Sequence, residues 1–153
     1  MSPMAMTSEE VLAAIPQHEP FRFIDEILEL DEDHIVSRYR FRPESDFFRG
    51  HFPGNPVTPG VILIESMAQA GIVALGIYLV SREEGGYDPE KMMTLFTDAS
   101  VDFSGIVKPG DRVTVECRKV FWRRRKLRAE AEMKLDDGTV VCSGNVSGMG
   151  VMR

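Results

Sequence analysis

Cysteine is almost missing from this sequence: two residues in 153, Cys117 and Cys142, and no CxxC pair. Both stand in alternating, strand-like stretches, where a small apolar packing role fits them best. Histidine is scarce as well. His18, His34 and His51 share no metal-ligand spacing such as HExxH, so no metal is assigned. Nor is there an excess of positive charge. Lys and Arg number 18 against 24 Asp and Glu, a net charge of −6, which argues against non-specific nucleic-acid binding. Met1 to Ser8 has no cationic start leading into an apolar run and a small-residue cleavage site, and a cytoplasmic location is expected. Internal repeats, low-complexity tracts and linkers are absent too. Residues 1–153 are therefore expected to form one domain with a substantial core.

What the sequence does hold is a series of strand-like stretches around one long apolar helix. Thr7 with Glu10 reads as a capping box opening a short helix through Ile15, closed by Pro16 and Pro20. Phe23 to Leu30 reads as a strand and Asp31-Glu32-Asp33 as its turn. Ile35 to Phe41 is the partner strand, with Ile35, Ser37, Tyr39 and Phe41 on one face. Pro43 to Gly50 is expected to be loop. Pro59 suits a first helical turn, and the residues from Gly60 to Val80 are apolar nearly all round. Such a helix runs roughly 30 Å, enough to raise a membrane span. One that carries Glu65 inside a strand-rich chain fits a helix wrapped by sheet better, with no membrane insertion. After a charged connector, Arg82 to Glu90, four strands are expected: Met93 to Phe103, Arg112 to Trp122, Lys126 to Leu135 and Val140 to Met149. Asp136-Asp137-Gly138 is a hairpin signal between the last two. The expected class is α+β, about six antiparallel strands curled round one central helix.

Chemistry concentrates between Arg49 and Gly71. A loop rich in Gly and Pro, holding His51, runs straight into the long helix, and Glu65 stands there among Val61, Ile62, Leu63, Ile64 and Met67. A charge in that setting is costly unless it is paired, neutralised or used.

The run Gly50-His51-Phe52-Pro53-Gly54-x-Pro56-x-x-Pro59-Gly60-Val61, followed by Glu65-x-Met67-Ala68-Gln69, resembles the 3-hydroxyacyl-acyl-carrier-protein dehydratases of fatty-acid synthesis. Pro20-Phe21 with Ile24-Asp25 is similar to that family's N-terminal signature, and Val107-Lys108-Pro109-Gly110-Asp111 to a later one. The likeness covers nearly the whole chain. It implies a hotdog fold, a homodimer with shared active sites, and often a trimer of dimers. It also implies a histidine held by the carbonyl of Val57, a thioester-carbonyl donor at the N–H of Gly60, and a histidine and carboxylate that meet across the dimer. An apolar tunnel would take an acyl chain carried on the phosphopantetheine of an acyl carrier protein, with no cofactor. Two positions depart from the family pattern: Gln17, with His18 one place later, stands where a histidine is usual, and Ser104-Gly105 where basic residues follow the phenylalanine. They bear on assembly, carrier docking and substrate range.

Dehydration of a 3-hydroxyacyl thioester needs a base for a C2 proton, an acid for the departing C3 hydroxyl, and donors to the carbonyl. His51 suits the first role, since an unperturbed imidazole, with a pKa of about 6.5, takes a proton near neutrality. Glu65 suits the second if burial keeps it protonated. The N–H groups of Gly60 and Val61 at the helix start suit the third. Gln69, one turn beyond Glu65, is expected beside the substrate-binding residues, chiefly as structural support. Ser66 lacks a GxSxG elbow and is not read as a nucleophile. Met67, Met92 and Met93 read as core filler. Trp122-Arg123-Arg124-Arg125-Lys126, the one concentrated basic run, is either a solvated hairpin tip or a surface for an acidic carrier. Two other functions remain open on the same fold: an acyl thioesterase, and a non-catalytic acyl-binding subunit.

Overall fold

The computed structural model describes residues 5–153; the reading of Met1 to Ser8 lies partly outside the described residues. Helix α1 spans Ser8–Ala14, and its capping box forms as expected, the Thr7 hydroxyl accepting from the Glu10 N–H while Glu10 accepts from the Thr7 N–H. Strands β1 (Glu26–Leu30) and β2 (His34–Arg40) pair antiparallel, and a short helix α2 (Phe47–Gly50) follows. The long helix comes next, in three parts: α3 (Gly60–Ala68), a wide π-type turn (Gln69–Ala74) and α4 (Leu75–Ser81). Strands β3 (Met92–Phe103), β4 (Arg112–Arg123), β5 (Lys126–Leu135) and β6 (Val140–Met152) complete an antiparallel sheet of six strands, in the order β1-β2-β4-β5-β6-β3.

The sheet wraps the helix because each strand turns an apolar row inward. Val113, Val115 and Cys117 of β4, and Leu127, Ala129, Ala131 and Met133 of β5, are buried against Met67, Ala70 and Ala74. The apolar stretch Gly60–Ser81 is thus a core helix, about two thirds buried in its most apolar window. Both cysteines are buried packing residues: Cys117 Sγ lies 3.8 Å from the Met67 carbonyl and Cys142 Sγ 3.9 Å from Met67 Sδ. Burial pushes their thiols up to about 12 and about 11, far from reactive thiolates.

Four expectations change. The first strand begins at Glu26 rather than Phe23, because side chains of the long helix engage the backbone of Phe23. The expected loop from Pro43 to Gly50 closes with α2, whose Phe48 is buried. The long helix is not a regular α-helix throughout. It widens where Gly71 meets β4, a Cβ there standing only 2.8 Å from Cys117 Sγ. Met67 and Met92 are core, whereas Met93 is 41% exposed on β3.

Candidate active site

His51 caps the C-terminus of α2, and its hydrogen bonds there are all to main chain. Its N–H donates to the Phe47 carbonyl at 3.1 Å, and its own carbonyl accepts from the Val57 N–H at 2.9 Å. The Val57 carbonyl then returns to the ring, 3.1 Å from Nδ1. A carbonyl oxygen only accepts, so Nδ1 carries the proton of the neutral ring and Nε2 keeps a free lone pair. The ring stacks on Phe52, centroids 4.4 Å apart, and is half-buried.

The loop is tied down one residue later. The Thr58 N–H donates to the Val107 carbonyl at 2.8 Å, and Val107 begins the Val-Lys-Pro-Gly-Asp run. That run is a turn clamped to the end of β2: the Gly110 N–H donates to the Phe41 carbonyl, the Phe41 N–H to the Asp111 carbonyl, and Asp111 Oδ2 accepts from the Lys108 N–H. Gly110 takes φ +91°, a left-handed backbone suited to glycine. The motif therefore acts at a distance, as the anchor of the histidine loop.

Pro59 leads into α3, its carbonyl accepting from the N–H groups of Ile62 and Leu63. The N–H groups of Gly60 and Val61 find no acceptor among the described residues, and Val61 is 72% exposed. Two free donors at the positive end of a helix suit an oxygen that gains negative charge. The ring of Phe103 lies across Gly60, and a Cβ at that position would stand 3.0 Å from it.

Glu65, about a turn and a half further on, is half-buried, and the only hydrogen bond to its carboxyl among the described residues comes from Gln69 Nε2, 2.9 Å from Oε2. Burial raises its pKa, opposed in part by that bond, so the neutral carboxylic acid is favoured relative to a free glutamate. Gln69 is wholly buried and reaches the site only through Glu65. Its Nε2 also donates to the Phe21 carbonyl at 3.1 Å, and its Oε1 accepts from the Phe23 N–H at 2.7 Å. Ser66, also buried, donates to the Phe23 carbonyl at 2.8 Å. The sequence pattern around Ser66 and Phe23 gave no sign of this clasp; its partners lie more than forty residues apart.

No hydrogen bond joins His51 to Glu65 among the described residues of one chain. The apolar gap between the second half of the long helix and the sheet, lined by Ile72, Ile77, Met92, Trp122 and Met149, measures about 10 Å³, room for one water and not for an acyl chain. No cluster of three or more metal-ligating side chains occurs among the described residues. The basic run forms the β4–β5 turn, with Arg124 and Arg125 at φ 50° and 61° and Arg123 and Arg124 exposed. The guanidinium groups of Arg123 and Arg128 lie 5.1 and 5.5 Å from the Phe121 ring centre.

A family model described as a FabA-like domain matches residues 15–145. The chain is 35% identical over 140 residues to the 3-hydroxyacyl-[acyl-carrier-protein] dehydratase FabZ of Caldicellulosiruptor bescii, covering 90% of this chain and 94% of that one. It is 34% identical over 145 residues to the FabZ of Herpetosiphon aurantiacus, covering 92% and 95%. Among solved structures it is similar to a dehydratase heterocomplex from Xenorhabdus doucetiae, with a TM-score of 0.73 at 15% identity over 91% of this chain and 89% of that one. A thioesterase from Haemophilus influenzae gives a TM-score of 0.69 at 16% identity, covering 99% and 94%. At such identities these structures speak to the fold alone, and both share it.

Proposed function

Because this chain belongs to the FabA-like family, beside the FabZ 3-hydroxyacyl-[acyl-carrier-protein] dehydratases, we propose that it is a hydro-lyase that dehydrates (3R)-3-hydroxyacyl thioesters to trans-2-enoyl thioesters in acyl-chain synthesis. The observation that carries the reading is the lock on His51: with Nδ1 committed to the Val57 carbonyl, Nε2 is free to take a proton. In the proposed step Nε2 removes the C2 proton, and the thioester carbonyl draws on the Gly60 N–H, with Val61 beside it. Glu65 gives its proton to the C3 hydroxyl, which leaves as water while the C2–C3 double bond forms. Return of the proton from imidazolium to carboxylate resets the pair. Base, acid and donors all belong to the chain, so no cofactor enters the scheme.

The base and the acid of one site are proposed to come from two copies of this chain, each a single hotdog domain. Strand β3 supports this. It is twelve residues long, closes one edge of the sheet, and leaves Met93, Leu95, Phe96 and Phe103 between 41 and 48% exposed. A long apolar edge invites a second copy related by a two-fold axis. In this reading the acyl tunnel runs between the copies, the gap between the second half of the long helix and the sheet being too small for a chain. Native mass measurement reads the dimer, and a trimer of such dimers, directly. The partner that delivers substrate is an acidic acyl carrier protein in the cytoplasm, met by the Arg123–Arg124 tip. Arg123→Glu with Arg124→Glu is expected to lower kcat/KM on carrier-borne substrate by about tenfold while leaving a short synthetic thioester unaffected. Equal loss on both substrates would remove the tip from docking.

The deciding assay follows hydration, dehydration and free-thiol release together over a series of chain lengths. Interconversion of 3-hydroxyacyl and 2-enoyl thioesters is expected, abolished by His51→Ala and by Glu65→Gln. Thiol release without interconversion would make the chain a thioesterase instead.

A further inference from the structure

The amide of Gln69 has both of its ends read by backbone groups that admit one orientation. The Phe23 N–H is only a donor, so the atom 2.7 Å from it is the amide oxygen. The Phe21 carbonyl is only an acceptor, so the atom 3.1 Å from it is the amide nitrogen. Neither argument refers to Glu65. With the amide so fixed, the second N–H of Nε2 faces Glu65 Oε2 at 2.9 Å and both donors are engaged. Nothing in this arrangement can accept a proton from Oε2. A carbonyl oxygen accepts that N–H better than a hydroxyl oxygen does, so an acidic proton on Glu65 is favoured on Oε1.

We propose that Gln69 is a positioning residue that assigns the Glu65 proton to Oε1, and that the Phe21–Phe23 backbone sets this choice by holding the amide unflipped. The inference rests on the reading of Glu65 as the acid. It gives the Pro20-Phe21…Ile24-Asp25 signature a function: the segment leaves the sheet at Phe23 because its polar groups serve the helix side chains instead of a strand ladder. It also accounts for a fully buried amide with each of its groups in use. Without Gln69 the carboxyl is free to rotate and the proton occupies either oxygen. A donor aimed away from the leaving hydroxyl does no work in the reaction.

Gln69→Met keeps length and burial while removing every hydrogen bond of the amide. In folded Gln69→Met protein, kcat is expected to fall on the order of 10²-fold with KM nearly unchanged. The alkaline limb of the kcat profile should move upward, since a donor favouring the charged carboxylate is gone. Isotope-edited infrared spectra supply a substrate-free readout: the C=O band of protonated Glu65 should rise in frequency once Oε2 loses its donor. If Gln69→Met does not fold, Gln69→Glu takes its place. That variant keeps an acceptor for the Phe23 N–H but loses the N–H aimed at Glu65, and a similar loss of kcat is expected. Unchanged kcat and an unmoved C=O band in either folded variant would overturn the inference. A fully active Glu65→Gln would instead overturn the acid reading itself, which keeps the two failures apart.

Discussion

His51 and Glu65 are held in opposite ways. Every bond that places His51 is made by main chain: Phe47 and Val57 on the residue itself, Val107 on the loop behind it. Glu65 has side chains instead, with Gln69 directly on the carboxyl and Ser66 beside it on the segment they both clasp. As the proposed base, His51 is placed by backbone and depends on the shape of its loop, hence the Gly and Pro residues from Gly50 to Gly60. As the proposed acid, Glu65 is placed by side chains and depends on the identity of particular neighbours. Substitutions around the two should therefore have different consequences.

The largest effects are expected at the proposed base and acid. His51→Ala and Glu65→Gln are each expected to cost on the order of 10²–10⁴ in kcat with little change in Tm. Native kcat should also decline as pH rises through the raised pKa of Glu65, because only the neutral carboxyl donates. Next comes the packing behind the acid. Gly71→Ala drives a methyl into Cys117 Sγ and Cβ, and is expected to lower stability by about 1–3 kcal/mol in denaturant titrations.

Val57→Ala sharpens the contrast from the other side. It trims a side chain but keeps the carbonyl on His51 Nδ1, so kcat should stay near that of the unsubstituted enzyme, where Gln69→Met does not. A large kcat loss at Val57 would mean that the loop is also held by side-chain packing.

The smallest effect lies far from the site. His34 sits between Glu29 Oε1 at 3.2 Å and Asp31 Oδ1 at 2.9 Å, and hydrogen bonds to Glu29 and then Asp31 raise its pKa. A histidine stabilised in its charged form contributes fully below the unfolded pKa of about 6.5 and loses that contribution as pH rises through the folded value. With partners more than half exposed, the contribution is about 1 kcal/mol or less. His34→Asn should flatten the fall of Tm across neutral pH without altering kcat.

Much of this architecture was legible in the sequence wherever local rules agreed with the fold. The Thr7–Glu10 cap, the alternation along β2, β4 and β5, and the apolar helix all formed because periodicity and burial demanded the same thing. What could not be read was decided by distant partners. Phe23 looks like a strand residue until Gln69 and Ser66 take its polar groups. The wide turn at Gln69–Ala74 follows a helix-like sequence and depends on the close approach of Gly71 to Cys117. The Val57 carbonyl on His51 was implied by family likeness, not by any local pattern, since a backbone acceptor leaves no mark in residue type. Gln69 was expected near the substrate-binding residues chiefly as structural support, and it lies wholly buried with its amide on the Glu65 carboxyl.

The claim that a base from one chain works with an acid from its partner is tested most directly by mixing. His51→Ala and Glu65→Gln proteins, each inactive, are unfolded together, refolded and assayed for dehydration. A two-fold dimer with shared sites gives each heterodimer one intact pair, and about a quarter of full activity should return at random mixing. If heterodimers form by native mass and no activity returns, the pair does not work across the interface and the account is contradicted.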